Sequence, residues 1–227
     1  MANNTINKEE IEKFSALAEE WWDPNGNFKP LHKFNPIRIE YIKNHIIKEF
    51  NIKNKKKPFS KLEILDIGCG GGHLLKEISL AVGEQGKIIG VDSSDFQIKS
   101  AKELCSDLSN VELLCCNADD IMIEPKSCDA VTSTQTLEYI EEIDDVLRET
   151  KRLQKPNSKF VNISTLWDFF GFHGPEPELN KIMHDAMKGQ KHPMLPIQLS
   201  GKLEKLGYKN IKTQEINFFI SRNRIFV

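Results

Sequence analysis

A glycine-rich turn between a predicted strand and a predicted helix constrains this chain more than any other feature. Residues 66–72 read D-I-G-C-G-G-G; they overlap the end of the apolar run 62–67 and precede a helical pattern at 74–82. Glycines let the backbone turn tightly and let a ligand approach the main chain closely. The helix that follows also brings its N-terminal N–H groups to the turn. The pattern is therefore typical of a cofactor-binding loop at the end of a strand.

Short apolar runs alternate with helical patterns after Lys61. The alternation predicts strands and helices as follows: strands at 62–67, 87–91, 111–115, 128–132 and 160–163, and helices at 74–82, 96–108 and 144–153. Such an order implies a parallel sheet with right-handed crossovers. We therefore expect an α/β fold with a doubly wound, Rossmann-like sheet.

The first 60 residues show a different pattern, which predicts a helical extension. Apolar spacing predicts a helix at 8–22, and Asn35-Pro36 predicts the N-cap and first turn of a second helix. A lysine-rich run at 53–57 separates this part from the alternating region. We therefore expect two parts: a helical lid or extension at 1–60 and a cofactor-binding domain at 61–227. Near its end, the second part is predicted to have helices at 178–189 and 197–206 and a final strand region at 209–219.

Charge, hydropathy and cysteine usage exclude several classes of protein. The net charge is −2, whereas a nucleic-acid-binding protein is usually strongly basic, so we expect no nucleic-acid partner. No apolar stretch is long enough for a membrane-spanning helix, and the first residues do not resemble a secretory signal. The five cysteines include no C-x-x-C pair, which favours reduced thiols in a cytoplasmic protein.

The spacing of the glycines distinguishes two classes of cofactor. A dinucleotide loop follows G-x-G-x-x-G, but His73 stands where its third glycine belongs. S-adenosylmethionine loops follow acid-x-Gly-x-Gly-x-Gly, and this chain matches every fixed position, at Asp66, Gly68, Gly70 and Gly72. An acid in such a loop is suited to the cationic amino-acid end of S-adenosylmethionine. We therefore expect S-adenosylmethionine as the cofactor.

Two further acids follow the next two predicted strands. Asp92 ends the second strand, 26 residues after Asp66, and Asp119 follows the third. A carboxylate after the second strand is placed to accept two ribose hydroxyls. We expect Asp119 to accept a hydrogen bond from the adenine amino group. Since parallel strands end at one edge of a sheet, the three acids are predicted to line one crevice.

As a set, these motifs resemble the class I S-adenosylmethionine-dependent methyltransferases over roughly residues 60–165. The resemblance implies a seven-stranded sheet with the cofactor at the carboxyl ends of its first strands. Residues 14–72, which include W-W-D at 21–23 and N-P-I-R at 35–38, are similar to the UbiG-type ubiquinone-biosynthesis O-methyltransferases. That similarity implies that Arg38, Gly68, Asp92 and Thr134 contact the cofactor.

The chain departs from that narrower family after the fourth predicted strand. The family has Glu-x-x-Glu-His there, implicated in binding a divalent metal, whereas this chain has Gln135, Glu138 and Tyr139. An amide and a phenol are poor replacements in a Mg²⁺ site, which prefers carboxylates. We therefore predict no metal ligands. The family's segment after the fifth strand is also absent, replaced by an aromatic stretch at 167–174.

The resemblance implies methyl transfer by in-line displacement, with an enzyme that mainly positions the nucleophile. A phenol or catechol hydroxyl also needs a proton acceptor. We predict His173 for that role, and Glu138 is a second candidate. The expected acceptor is a polyprenylated ubiquinone precursor, reached by peripheral contact with the inner membrane.

Three other functions remain open from the sequence. One is a methyltransferase of another small molecule, and another is a cofactor-binding module without catalysis. The third is an NAD-linked oxidoreductase, which His73 disfavours. The lysine run at 53–57 is likewise open to two interpretations, a solvated linker or a surface that attracts anionic lipid.

Overall fold

A five-stranded parallel sheet forms the centre of the computed structural model, which describes residues 29–49, 61–169, 177–178, 181, 189–215, 219–220 and 225–226. Its strands are β1 (Glu63–Ile67), β2 (Lys87–Asp92), β3 (Val111–Cys115), β4 (Cys128–Thr134) and β5 (Gln154–Ile163). They lie in the order β3-β2-β1-β4-β5. The chain therefore leaves β1 in one direction and returns to its other side with β4. A crevice is expected where that direction reverses, at the carboxyl ends of β1 and β4.

Five longer helices surround this sheet in the described ranges. They are α1 (Lys29–Glu49), α2 (His73–Val82), α3 (Asp95–Leu104), α4 (Ile143–Leu153) and α5 (Leu195–Lys205). Single 3₁₀ turns lie at Leu137–Tyr139 and Trp167–Phe169, and a short antiparallel pair joins β6 (Phe219–Ile220) to β7 (Ile225–Phe226). The predicted doubly wound, Rossmann-like α/β fold is confirmed.

Apolar side chains cover both faces of the sheet because successive residues of a strand point to opposite sides. On one face Ile64 of β1 packs in a cluster with Leu75 of α2 and with Ile42 and Ile46 of α1. On the other face Leu65 and neighbouring strand residues pack with Leu153 of α4 and Ile121. The described part of segment 1–60 thus contributes to the core of the sheet. The boundary between residues 60 and 61 stays a prediction.

The predicted start of the second helix is wrong. Asn35 was expected as its N-cap and Pro36 in its first turn, but α1 begins at Lys29 and Pro36 lies inside it. A proline removes one main-chain hydrogen bond and distorts a helix without preventing the preceding residues from being helical. A proline therefore does not fix a helix start by itself.

Two further bounds differ from the expectations. β5 begins at Gln154, six residues before the predicted start, and its pairing with β4 shifts register between Cys128 and Ala130. Residues 209–215, predicted as the start of a strand region, are not strand, because the described strand pair begins only at Phe219. The predicted helix at 8–22 and most of the one at 178–189 lie outside the described residues.

Among the residues that the structure describes, none of the helices is both long enough and apolar enough to cross a lipid bilayer.

Candidate cofactor site

The loop between β1 and α2 folds back over the end of β2. The N–H groups of Gly68 and Cys69 both donate to the Val91 carbonyl, at 2.8 and 3.0 Å. Gly68, Gly70 and Gly72 all have positive φ angles, of 73°, 52° and 84°, which disfavour any residue with a side chain. The predicted glycine loop therefore lies at the carboxyl edge of the sheet, fastened to the end of β2.

Two of these glycines are also required by close packing. A Cβ atom on Gly68 would lie 2.2 Å from Cγ2 and Oγ1 of Thr136, which follows β4. One on Gly72 would lie 3.0 Å from Cβ of Ala101 in α3. Gly72 begins α2 as its N-cap residue, so the positive end of that helix dipole faces the loop.

Asp66 lies inside the sheet, directly before the loop. Its carboxylate accepts a hydrogen bond from Thr132 Oγ1 at 2.8 Å, and Thr132 is its register partner on β4. Burial raises the pKa of Asp66 to about 7; the Thr132 hydrogen bond opposes this and the charge of Asp92 adds to it. The charged form of Asp66 is costly in this buried environment, and a cationic ligand group nearby would stabilise it.

Asp92 connects the end of β2 to the glycine loop. Its Oδ2 accepts from Gly70 N at 3.0 Å, and its Oδ1 accepts from Ser94 N at 2.9 Å. Burial raises the pKa of Asp92, whereas main-chain hydrogen bonds from Ser94, Gly70 and Ser93 lower it. A carboxylate has about four acceptor positions, so capacity remains for a ligand hydroxyl beside these three main-chain hydrogen bonds.

Asp119 lies in the loop after β3, and it is partly exposed. That loop is anchored to α4, because Ile121 N donates to Oε1 of the buried Glu149 at 2.9 Å. Arg152 fixes the same Glu149 through hydrogen bonds at 2.6 Å and also donates to the Ile121 carbonyl at 2.9 Å. The loop is thus held at the same edge of the sheet as Asp92, where the sequence analysis expected both acids.

The end of β4 supplies hydroxyl groups to the crevice. Thr134 is its last residue, and Thr134 Oγ1 is buried without a hydrogen-bond partner among the described residues. Gln135 then adopts a positive φ of 53°, unusual for a residue with a side chain. Thr136 Oγ1 donates to the Gly68 carbonyl at 3.4 Å, which connects this turn with the glycine loop. An unpartnered buried hydroxyl at the switch point favours a polar ligand there.

Glu138 lies in the 3₁₀ turn that follows, and its side chain is fully buried. Ser164 Oγ donates to Oε2 at 3.1 Å. The Gln135 amide, oriented so that both of its polar atoms are satisfied, donates to Oε1 at 3.0 Å and accepts from Thr165 N at 3.1 Å. Burial raises the pKa of Glu138, and hydrogen bonds from its own main chain and from the Ser164 hydroxyl act against that rise.

Arg38 lies on α1, and its charge interacts with that of Glu138. Burial lowers the pKa of its guanidinium, and the charges of Glu138 and then Tyr139 raise it. The sequence did not predict that Arg38 and Glu138 influence each other. The strand order could have indicated it, since Glu138 follows β4 at the switch point.

The cluster does not fit a divalent cation. Gln135 is occupied by Thr165, and both oxygens of Glu138 accept from protein donors. Within the part of the chain that the structure describes, no group of three or more His, Cys, Asp or Glu side chains is arranged to hold a metal ion. Mg²⁺ prefers several carboxylate or water oxygens in near-octahedral geometry, and this donor set offers one buried carboxylate.

The structure brings most of the predicted site residues to one edge of the sheet. They are Asp66, Gly68, Gly70, Gly72, Asp92, Asp119, Thr134 and Glu138, and the charge of Glu138 also raises the pKa of Arg38 on α1. His173 lies outside the described residues. Thr132, Ser164 and Gln135 were missed, because their importance depends on which strands are neighbours.

The fold and this edge define a doubly wound α/β domain of the kind that binds a nucleotide-like cofactor at a switch point. Residues 58–211 match the family model described as "Methyltransferase domain", and the chain belongs to that family.

Named relatives narrow the comparison. The chain is 44% identical over 163 residues to a ubiquinone biosynthesis O-methyltransferase of Pelagibacter ubique, covering 72% of this chain and 66% of that protein. It is 37% identical to one of Mesorhizobium japonicum, covering 67% and 61%. The predicted resemblance to this group is confirmed. The matched region spans less than two thirds of the length of these relatives.

Solved structures agree on the fold. An S-adenosylmethionine-dependent methyltransferase from Aquifex aeolicus matches with a TM-score of 0.55 at 23% identity, covering 89% of this chain and 88% of that one. Phosphoethanolamine N-methyltransferase 2 of Haemonchus contortus, solved with S-adenosyl-L-methionine, matches with 0.54 at 21% identity, covering 74% and 37%.

Proposed function

We propose that this chain is an S-adenosylmethionine-dependent O-methyltransferase that acts on a phenol or catechol hydroxyl of a polyprenylated ubiquinone precursor. The observation that carries the proposal is the hydrogen bond that Gly70 N donates to Asp92 Oδ2 at the switch point of a methyltransferase domain. It joins the glycine loop to the acid that is suited to a ribose. The acceptor class rests on the relatives, whose printed names are ubiquinone biosynthesis O-methyltransferase at 35–44% identity.

The crevice residues fit S-adenosylmethionine. Asp92 accepts the ribose hydroxyls, Asp119 accepts from the adenine amino group, and Asp66 faces the amino-acid end. Gly70 lets the cofactor approach the main chain, Gly72 gives the loop its turn into α2, and Thr134 offers its buried hydroxyl, which has no partner among the described residues. When bound, S-adenosylmethionine supplies a methyl group activated by the sulfonium, and the protein positions the acceptor oxygen against it.

Removal of the acceptor proton needs a base within hydrogen-bond reach. His173 and Glu138 are the two predicted candidates. Glu138 already accepts hydrogen bonds from Ser164 and Gln135 at a fully buried position, which favours His173 as the base. A His173→Ala variant should lose kcat at saturating S-adenosylmethionine while its affinity for S-adenosylhomocysteine is unchanged. A variant with unchanged kcat would remove His173 from the mechanism.

Calorimetry with S-adenosylhomocysteine and with NAD tests the choice of cofactor. The protein is expected to bind S-adenosylhomocysteine and not NAD. Binding of NAD alone would refute the proposal in favour of an oxidoreductase. Asp107→Asn, on an exposed side chain, is a matched control for Asp92→Asn in the same titration.

Two experiments test the acceptor. Labelled S-adenosylmethionine is incubated with the protein and lipid extracts of a strain that lacks the ubiquinone O-methyltransferase, and the same strain is used for complementation. Label in a prenylated quinone precursor, together with restored ubiquinone, supports the proposal. Cofactor binding without label transfer indicates a binding module, and transfer to another molecule indicates another acceptor.

A polyprenylated acceptor resides in a lipid bilayer, so the proposed enzyme contacts a membrane surface peripherally. The lysine-rich run at 53–57 supplies positive charge for anionic lipid. Co-sedimentation with vesicles containing phosphatidylglycerol is expected for the full chain and reduced when these lysines are replaced by glutamine. Equal sedimentation of both proteins would assign the run to a solvated linker.

A further inference from the structure

The loop at residues 116–123 follows β3 and contains no helix or strand of its own. It begins beside the acid proposed for the ribose, because Cys116 N donates to the Asp92 carbonyl at 3.1 Å. Asp119, the acid proposed for the adenine amino group, lies three residues further along. The position of its carboxylate therefore depends on what holds the second half of this loop.

Two side chains of α4 hold that second half by its main chain. Glu149 Oε1 accepts from Ile121 N at 2.9 Å. Arg152 donates to the carbonyls of Ile121 and Ile123, at 2.9 and 3.3 Å. Arg152 also donates from Nε and Nη2 to the two oxygens of Glu149, both at 2.6 Å. These two residues, here called the α4 pair, lie three positions apart and therefore share one face of the helix.

The α4 pair differs from an ordinary surface ion pair in its burial and in its partners. Only 10% of the Glu149 side chain is exposed, against 39% for Arg152. Burial raises the pKa of Glu149, but hydrogen bonds from Arg152 and Ile121 bring it below its ordinary value, so the carboxylate is charged at neutral pH. Hydrogen bonds to charged groups are short and strong. The α4 pair therefore fixes the main chain of the loop firmly.

A separate apolar contact keeps the loop against the sheet. The Ile121 side chain is buried in the same cluster as Leu65 of β1 and Leu153 of α4. This contact does not involve the charges of the α4 pair, so the loop should stay near the sheet when they are removed. The α4 pair is then needed for the exact direction of the main chain, on which Asp119 depends.

We propose that Glu149 and Arg152 are positioning residues that fix the loop at 116–123 so that Asp119 accepts a hydrogen bond from the amino group of adenine. They act through Asp119 and determine how well the site distinguishes adenine from a base without that amino group. This inference rests on the proposed function, because it concerns specificity within the same cofactor site.

Two ligands that differ in one group measure this specificity by calorimetry. S-inosylhomocysteine carries an oxygen where S-adenosylhomocysteine has the 6-amino group of adenine. The original protein should prefer S-adenosylhomocysteine about tenfold or more, the effect of one hydrogen bond to a charged group. Glu149→Gln should reduce this preference to less than about threefold by weakening S-adenosylhomocysteine.

The ratio of the two affinities separates positioning from stability. A partly unfolded protein binds both ligands more weakly by the same factor, so a loss of stability alone leaves the ratio unchanged. An unchanged preference in Glu149→Gln would therefore overturn the proposal. An original protein that binds both ligands equally well would overturn it too, while the proposed function would stand.

The same helix supplies a matched control. Asp145 and Arg148 also form an ion pair three positions apart on α4, but their side chains are largely exposed. Arg148→Gln should keep the original preference, whereas Arg152→Gln should lose it; equal losses in these two variants would contradict the proposal. If Glu149→Gln does not fold, Arg152→Gln, at the more exposed position, carries the test with the same outcomes.

A double variant shows whether the α4 pair acts through Asp119. Asp119→Ala should lose the preference for adenine by itself, and adding Glu149→Gln should reduce the preference no further. A further loss in the double variant, or a preference that survives Asp119→Ala, would overturn the proposal. Failure of the unsubstituted protein to bind S-adenosylhomocysteine would instead refute the proposed function.

Discussion

Replacing Gly68 with alanine tests whether the glycine loop packs tightly against Thr136 in the turn after β4. Two separate costs are expected. The φ of 73° disfavours any side chain, by roughly 1–2 kcal/mol for a left-handed residue. The new Cβ would also lie 2.2 Å from two atoms of Thr136, and overpacking of this kind typically costs about 1–3 kcal/mol. The free energy of unfolding should therefore fall by about 2–5 kcal/mol.

Two other glycines of the chain isolate these costs. Gly207 has a φ of +81° with nothing within 4 Å of an added Cβ, so Gly207→Ala should show the backbone cost alone. Gly201 lies in α5 with open space around it, so Gly201→Ala should stabilise the protein by about 0.5–1 kcal/mol. Thr136→Gly in the Gly68→Ala background removes the side chain that the new Cβ would meet. It should recover only the part of the unfolding free energy that the clash had cost.

Urea unfolding followed by circular dichroism measures the free energies, and calorimetry with S-adenosylhomocysteine measures binding. Gly68→Ala should lose both stability and affinity, whereas the variants at Gly207 and Gly201 should keep affinity. The reasoning is refuted if Gly68→Ala is no more destabilising than Gly207→Ala. It is also refuted if Thr136→Gly brings no recovery, since the contact between the loop and the turn would then be unimportant.

Three further predictions concern charge. Asp92→Asn keeps the shape of the side chain but removes the charge of the carboxylate that accepts hydrogen bonds from Gly70 and Ser94. The affinity for S-adenosylhomocysteine should fall about 10-fold to 100-fold. An unchanged affinity in calorimetry would contradict the role of Asp92 in cofactor binding. In the folded state the pKa of Asp66 is raised from 3.8 to about 7, so between about pH 4 and pH 7 the folded protein keeps a proton that the unfolded chain has released. The contribution of Asp66 to the free energy of unfolding should therefore fall as the pH rises through this range, and stay level above it. Urea midpoints should show this slope in the original protein and a flatter one in Asp66→Asn. Since the donors around Glu138 do not fit a cation, treatment with a chelator should leave the proposed methyl transfer unchanged. A loss of that activity that Mg²⁺ restores would show that a metal site exists.

The alternation of apolar runs was sufficient to predict the parallel sheet because each buried strand needs a continuous apolar stretch. Val111–Cys115 has the predicted bounds. The early part of β5 escaped prediction, since it contains Pro156 and polar residues, and Asn157 has a φ of 63°. β5 lies at an edge of the five-stranded sheet, where a proline does not interrupt a ladder on both sides.

The site was predictable to the extent that it follows single strands. The positions of Asp66, Gly68 and Asp92 at the carboxyl edge were predictable because each occupies a fixed offset from the end of its own strand. The hydrogen bond from Thr132 to Asp66 and the packing of Thr136 on Gly68 were not predicted. Each of these two contacts joins residues that are more than 60 positions apart in the sequence. Such contacts depend on β4 lying beside β1, which a local pattern does not reveal.

The neighbouring position of β1 and β4 also orders the steps of folding. A chain that has assembled only β1, β2 and β3 contains the glycine loop and Asp92, but it lacks the wall formed by Thr132 to Glu138. Closing a segment of more than 60 residues costs chain entropy before any contact is made, and non-local pairing of this kind is slow. The crevice therefore becomes complete only when β4 docks. A nascent chain that ends before residue 128 is expected to bind no cofactor, however well its first three strands have folded.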